Sequence, residues 1–306
     1  MAEFVVLLVL AALFVGFAGL RLLGIEGSRF TASVLALTPY ATVVGLLLGV
    51  LSLVLGQWWI GGVELAAALG LAARVLPRVV RSSRPARAGQ RVRVLSSNIY
   101  LGRGDVKTLV ELVREHEVDV LNVLELTEQA IEELDRAGMF ELLPHRILQP
   151  ARGGGGSGLL SRHPLTELAL PGKSLLKQPS ARIDLGERVI EVVAVHPIPP
   201  TTSATTWRAE LAGLPAPVAD GPVRVLAGDF NATLDHAAFR RLLRLGYQDA
   251  AACRGLGLRP TWPGAAFPPP VTLDHVLVDR RAVVTACRIF DVPGSDHRAV
   301  YAELVV

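Results

Sequence analysis

The sequence predicts an α/β domain over residues 91–306, built as a sheet sandwich with a single site at one rim and preceded by about three membrane-spanning helices. Three observations carry this. The first 80 residues are long apolar stretches with few charges. From residue 91 onward, short apolar runs alternate with segments of helical spacing, the mark of an α/β chain. Polar side chains suited to metal and phosphate stand at the edges of six of those runs.

The chain has 306 residues, 51% of them hydrophobic, and a formal net charge of +3. Seven of its 31 basic and three of its 28 acidic residues precede residue 88, which leaves 24 and 25 downstream. The downstream domain is therefore near neutral, which argues against a dedicated duplex-DNA binder. Its size allows one large core. Cys253 and Cys287 fit no zinc spacing; they are two buried thiols or, in an oxidising compartment, one disulfide.

Residues 4–20 are apolar and end at Arg21. They lack the basic start and the small-residue cleavage site of a signal peptide, so they read as a transmembrane helix. Residues 30–63 carry no charge and are too long for one span. The break is expected at Gly56-Gln57-Trp58-Trp59, where paired Trp suits a membrane interface. The expected spans are 3–22, 32–55 and 58–77. The third holds Glu64, a few residues from the interface, which reads as solvated or helix-facing, and Arg74, which can snorkel. Residues 78–90 are basic, small and Pro-containing, a linker or flanking stop signal whose arginines can also rest on anionic lipid. Arg74, Arg78, Arg81, Arg84 and Arg87 place the large domain in the cytoplasm by the positive-inside rule.

Residues 91–99 read as a strand ending near Asn98, and 105–116 as a helix capped by Asp105. Residues 119–126 form an apolar strand carrying Glu125, which is costly to bury unless a metal ion or a salt bridge pairs it. A helix follows from Thr127. The glycine run at 152–158 has no Gly-Lys-Ser/Thr after it, so it is no phosphate-binding loop but a hairpin connection or a mobile lip. Residues 187–195 are a strand ending in His196-Pro197; 205–214 are a helix. The run 223–227 leads into Gly228-Asp229-Phe230-Asn231, where alternation along a strand puts Asp229 and Asn231 on one side. Residues 236–245 are a helix. Trp262 sits in a Pro-bounded loop as an aromatic platform for substrate. Residues 273–278 form a strand opened by Asp274, 286–292 a further strand, and 299–306 a last one preceded by Asp296 and His297.

The polar set is Asn98, Glu125, His196, Asp229 with Asn231, Asp274, and Asp296 with His297. Four carboxylates and two amides suit Mg²⁺ and phosphate; two histidines suit proton transfer. No Gly-x-Ser-x-Gly competes with them.

The order Ser97-Asn98, Val123-Leu124-Glu125, Val195-His196-Pro197, Gly228-Asp229-Phe230-Asn231, Leu273-Asp274-His275, Ser295-Asp296-His297 resembles the endonuclease/exonuclease/phosphatase superfamily, which includes DNase I, abasic-site endonucleases, inositol polyphosphate phosphatases and neutral sphingomyelinases. The resemblance implies a four-layer α/β sandwich, two packed mixed sheets flanked by helices. It implies Glu125 as principal ligand of Mg²⁺ or Mn²⁺, with Asn98 and Asp296 close by. Asp229 and Asn231 would orient water and phosphate, His297 with Asp274 would act on phosphate oxygens, and His196 would be a second histidine. Asn98, Asn231, His196 and Trp262 would contact substrate. Two departures tell against DNA repair: there is no mid-domain Tyr between Tyr100 and Tyr247, and no basic insertion for gripping a duplex.

Three spans, an Arg-rich segment and this domain resemble the VanJ-type teicoplanin-resistance membrane proteins of actinobacteria. That resemblance implies a multi-pass membrane protein whose domain faces outward, against the positive-inside count. It also implies a phosphorylated, lipid-linked substrate with membrane lipids as neighbours and a link to antibiotic resistance. The alternatives at this stage are a membrane-anchored nuclease and a non-catalytic module binding phospholipid or a partner; no protein partner can be inferred.

Overall fold

The computed structural model describes residues 1–82, 88–264 and 270–306. The chain opens with helix α1 (Ala2–Leu23), which stops at Gly24 with φ +74°, a left-handed cap that glycine adopts without strain. Helix α2 (Arg29–Leu35) is capped by Ser28, whose hydroxyl accepts from the Thr31 N–H while the Thr31 hydroxyl accepts from the Ser28 N–H. Helices α3 (Thr38–Val54) and α4 (Trp58–Val75) follow.

The expected span over 32–55 is corrected here: α2 and α3 form a pair bent by 71° rather than one helix. The cause is local. In a continuous helix the Pro39 ring would meet the Leu35 carbonyl, four residues back, and Leu35 is where α2 ends. Among the described residues two helical stretches, Glu3–Leu23 and Trp58–Val79, are long and apolar enough to cross a membrane, and the bent pair makes a third if it counts as one broken span. α3 and α4 approach closely through small residues: a Cβ on Gly61 would lie 2.8 Å from the Gly49 carbonyl oxygen. Glu64 is helix-facing, fully buried, and accepts from the Ser52 hydroxyl at 2.7 Å.

Two mixed sheets make the body of the protein. In the first, β1 (Arg91–Asn98) pairs in parallel with β2 (Val120–Leu124). Around them lie β3 (His145–Gln149), β4 (Ser157–Ser161) and two strands from the end of the chain. Helix α5 (Val106–Glu115), capped by Asp105, α6 (Glu128–Arg136), capped by Thr127, and the short α7 (Met139–Leu142) belong to this half. The second half brings β5 (Leu165–Leu168), β6 (Ser180–Asp184) and β7 (Val189–Val195). They are followed by α8 (Pro200–Ala212), β8 (Val223–Asp229), α9 (Ala237–Arg244), β9 (Tyr247–Asp249) and α10 (Ala250–Cys253). Last come β10 (Asp274–Asp279), β11 (Val283–Phe290) and β12 (Ala299–Val305). The strand orders are β11-β12-β1-β2-β4-β3 and β5-β6-β7-β8-β10-β9.

Three apolar clusters define four layers. Val94, Val192, Val225 and Leu304 are fully buried between the sheets. Leu109, Val113 and Leu134 bind α5 and α6 to the outer face of the first sheet. Trp207, Phe230 and Phe239 hold α8 and α9 on the second. This is the two-sheet sandwich flanked by helices.

The N-terminal helices are fastened to this body. Asp235, 1% exposed, takes Arg21 Nε at 2.7 Å and both terminal nitrogens of Arg78 at 2.7 and 2.6 Å. Glu26 accepts from the N–H groups of Ala237 and Ala238, at the N-terminus of α9, where an anion is favoured. The linker expected over 78–90 is therefore corrected at its front end. Arg78 is 7% exposed and ion-paired, and the Ser82 N–H donates to the Cys253 carbonyl. Arg84 and Arg87 lie outside the described residues. Cys253 and Cys287 are thiols.

Candidate active site

Pairing direction gathers the polar residues at one rim. β1 and β2 run in parallel, so Asn98 and Glu125 emerge at the same end; β7 and β8 are likewise parallel and deliver His196 and Asp229. The antiparallel neighbours begin at that end. Asp274 opens β10 opposite Asp229, and Asp296 and His297 precede β12, the antiparallel partner of β1.

Glu125 is not inside a strand, as expected, but just beyond β2 with φ +59°. It is only half-buried there. Asn231, past β8, has φ +48°. Left-handed backbone at a residue with a Cβ costs on the order of 1–2 kcal/mol and collects at functional sites. The alternation argument for Asp229 and Asn231 also fails in detail, because the chain has left the strand; a tight turn does the work instead, Asp229 Oδ1 accepting from the Asn231 N–H at 2.8 Å.

Hydrogen bonds knit the set together. Asn98 Nδ2 donates to Glu125 Oε1 at 3.0 Å and reaches Asp229 Oδ2 at 3.4 Å. Glu125 Oε2 accepts from the Leu101 N–H at 2.8 Å. His297 Nδ1 is 2.9 Å from Asp274 Oδ2, and its Nε2 is 3.8 Å from Asp229 Oδ2. His196 Nε2 stands 4.0 Å from the same Asp229 oxygen. Trp262 Nε1 donates to Asp296 Oδ2 at 3.0 Å. His275 lies elsewhere, fully buried between Asp249 Oδ2 and the Ala232 carbonyl.

Burial and neighbouring charge set unlike protonation states. For His297, burial opposes the charge, but Asp274 and Asp229 outweigh it and raise the pKa to about 10. Burial pushes the Asp229 carboxyl up to about 7 against the pull of His297. Burial, helped by the His297 charge, brings His196 down to about 4. The result is an imidazolium, a neutral imidazole and a carboxyl poised near neutrality around one point.

These groups line a cleft of about 800 Å³, with Glu125, His196, Asp229, Asn231, Asp296 and His297 on its walls. Trp262 is on the wall as well. Asn98 and Asp274 are set behind them, 0% and 2% exposed. Asn98 thus acts on the cleft through Glu125 and Asp229 rather than at its surface.

The donors fit a hard divalent cation. The oxygens of Asp229 and Asp274 and a ring nitrogen of His297 lie within 4.8 Å of one another, but a protonated imidazole has no lone pair to offer. Glu125 and Asp296 are the better donors. Among the described residues, Asp296 Oδ1 is buried without a hydrogen-bond partner, an acceptor that a cation would satisfy.

Six further residues bear on the site. Gln178 Oε1 accepts from the His196 N–H. Ser295 Oγ donates to the Asn98 carbonyl and accepts from the His297 N–H, and its place in Ser295-Asp296-His297 was a usable signal. Gly154, in the connection between β3 and β4, lies so close that a Cβ would sit 3.3 Å from the Glu125 carboxyl carbon. Finally Ala32, Ala36 and Leu37, from α2 and the bend, line the same cleft; nothing local in the sequence ties them to it.

The sequence matches the endonuclease/exonuclease/phosphatase family over residues 95–297. No curated protein matches it. Among solved structures it is similar to an endonuclease/exonuclease/phosphatase from Beutenbergia cavernae, with 18% identity, TM-score 0.54, and 71% of this chain and 72% of that one covered. It is similar to a humanised D. rerio TDP2, at 14% identity and TM-score 0.56 over 71% and 99% of the chains. An AP endonuclease from Archaeoglobus fulgidus gives 14% identity and TM-score 0.55 over 69% and 98%. At these identities the structural likenesses concern the fold.

Proposed function

The chain belongs to the endonuclease/exonuclease/phosphatase family, and we propose that it is a membrane-anchored, divalent-metal-dependent phosphoesterase acting on a lipid-linked phosphate or pyrophosphate. One observation carries the reading: the cleft that holds Asp229, Glu125 and His297 is also lined by Ala36 and Leu37 of the N-terminal helices. The reacting groups face both water and the apolar part of the chain, as an amphiphilic substrate requires.

Members of this family commonly use divalent metal ions, and such an ion, Mg²⁺ or Mn²⁺, held by Glu125 and Asp296, would supply positive charge to the phosphoryl oxygens. The residues do the rest. Asp229, poised near neutrality, takes the proton of the attacking water. The water oxygen bonds to phosphorus as the ester oxygen leaves. His297, kept protonated by Asp274, donates to the oxygens on which charge grows. Asn231 Nδ2 already donates to the Pro197 carbonyl at 3.0 Å, and its other amide hydrogen remains for substrate. His196, neutral, offers a ring nitrogen without asking for a counter-ion. Trp262, on the cleft wall, offers substrate an apolar face.

The decisive measurement is product release by the detergent-solubilised full chain with Mg²⁺, on undecaprenyl pyrophosphate and on supercoiled plasmid, with Glu125→Ala as control. Metal-dependent phosphate release from the lipid supports the reading. Nicking of the plasmid alone replaces it with an anchored nuclease, and the near-neutral charge of the domain would then need another account. Unchanged cellular function in a Glu125→Ala, His297→Ala double variant would point instead to a non-catalytic lipid- or partner-binding module. The outward-facing orientation expected from the VanJ-type resemblance is part of the proposal; digestion of the domain by protease added to intact cells checks it.

A further inference from the structure

The apolar wall of the cleft is built into the fold. Ala32 is fully buried in the cluster of Trp207, Phe230 and Phe239, and its carbonyl oxygen is 2.7 Å from His236 Nε2. On the far side of the bend, the Tyr40 hydroxyl donates to the Pro270 carbonyl at 2.7 Å, and Val271 beside it lines the cleft too. The bend is thus clamped to the catalytic body at both ends. From Leu37, the N-cap of α3, an exposed stripe of Tyr40, Val44, Leu47, Leu51 and Val54 runs away at helical spacing. The stripe begins next to Leu37, which lines the cleft, and belongs to the bent helix pair that is long and apolar enough to cross a membrane if it counts as one span.

Resting on the phosphoesterase reading above, we infer that the α2–α3 bend selects the substrate's hydrocarbon chain. Ala36 and Leu37, half-buried on the cleft wall, receive its first units when the phosphoryl group lies between Asp229 and His297, and the exposed face of α3 conducts the remainder into the bilayer. Ala32 anchors this wall in the core, and the small side chain at 36 leaves room for the chain. A bound lipid then lowers its free energy by keeping its hydrocarbon out of water while its phosphate is handled in water. A substrate without a chain gains nothing from this wall.

The test uses two variants of the full chain. Ala36→Trp fills the wall. Ser33→Asp places a charge at its exposed rim, where the fold tolerates it, and decides the matter should the tryptophan variant not fold. The reading is the ratio of kcat/KM for a long-chain polyprenyl diphosphate in mixed micelles to that for bis(p-nitrophenyl) phosphate, which has no chain. Apolar pockets discriminate by roughly 10-fold or more for a lost or blocked contact, and a fall of that size in the ratio is expected for both variants. A ratio within about twofold of wild type, well under that discrimination, overturns the inference while leaving the phosphoesterase reading in place. Hydrolysis of bis(p-nitrophenyl) phosphate with no action of the wild type on any lipid phosphate removes the inference and the lipid-linked substrate together, leaving a phosphoesterase of another substrate.

Discussion

Asp235→Ala should loosen the sandwich from the N-terminal helices and lower its stability. The carboxylate is 1% exposed and binds two guanidinium groups, Arg21 and Arg78, that are themselves 3% and 7% exposed. Removing it leaves two like charges buried together. Breaking a buried pair by deleting one partner costs about 3–5 kcal/mol. For a domain of this size each kcal/mol lowers Tm by roughly 2–4 °C, so a fall of about 6–20 °C is expected. Tryptophan fluorescence of the detergent-solubilised chain on heating would read it. Pairing with Arg78 and Arg21 prevails over burial and holds the Asp235 carboxyl below its usual value. Its contribution is therefore present above the unfolded value of about 3.9 and is lost as pH falls through the lower folded value, so wild type and variant should converge only in acid. A triple variant, Arg21→Met, Asp235→Leu, Arg78→Met, should recover most of the loss, because an apolar trio needs no desolvation of charge. A Tm fall under about 2 °C for Asp235→Ala, or a triple variant as unstable as the single one, would refute the reasoning.

Three more outcomes are expected. Glu125→Gln keeps one oxygen for the Leu101 N–H but loses the charge, so it should raise the Mg²⁺ concentration for half-maximal activity, read from a metal titration at fixed substrate. His297→Ala should lower kcat by about 10²-fold or more and also lower Tm, since Asp274, 2% exposed, is left as an unpaired buried carboxylate; full kcat in this variant would remove His297 from the chemistry. Burial works against the charge on His275, but its pairing with Asp249 at 2.8 Å prevails and raises its pKa. That contribution is complete below the unfolded value of about 6.5 and fades as pH rises through the higher folded value. Asp249→Asn, which keeps an oxygen for the Ala252 N–H, should therefore flatten the loss of Tm on the alkaline side.

The sequence showed the strand ends most clearly. A carboxylate or imidazole closing a run stands out where the run is apolar, as His196 does after 192–195, and the rim of the sandwich is where the chain can tolerate the charge. β3 and β5 were invisible for the opposite reason: both are sheet edges, and His145–Gln149 and Leu165–Leu168 are half open to solvent and carry mixed side chains. The bend at 35–38 had a signal in Pro39, overridden by the apolar continuity around it. The fastening of Arg21 and Arg78 to Asp235 spans 214 and 157 residues, and no pattern within a window reports a contact at that range. Arg78 was legible as a charge near a helix end, but not as a buried one.

Asn122 stands fully buried on β2, and its amide donates across the gap to the Val193 and Ala227 carbonyls, on β7 and β8, at 3.2 and 2.9 Å. Together with the reach of Asn98 toward Asp229, it fixes the lateral offset of one sheet against the other. On the function proposed above, neither half of the polypeptide owns the chemistry: the first contributes Asn98 and Glu125, the second the aspartates and both histidines. Activity is therefore a property of alignment. A substitution that lets the sheets slide by a fraction of a strand spacing would leave every residue named here in place, folded and correctly protonated, and still silence the protein.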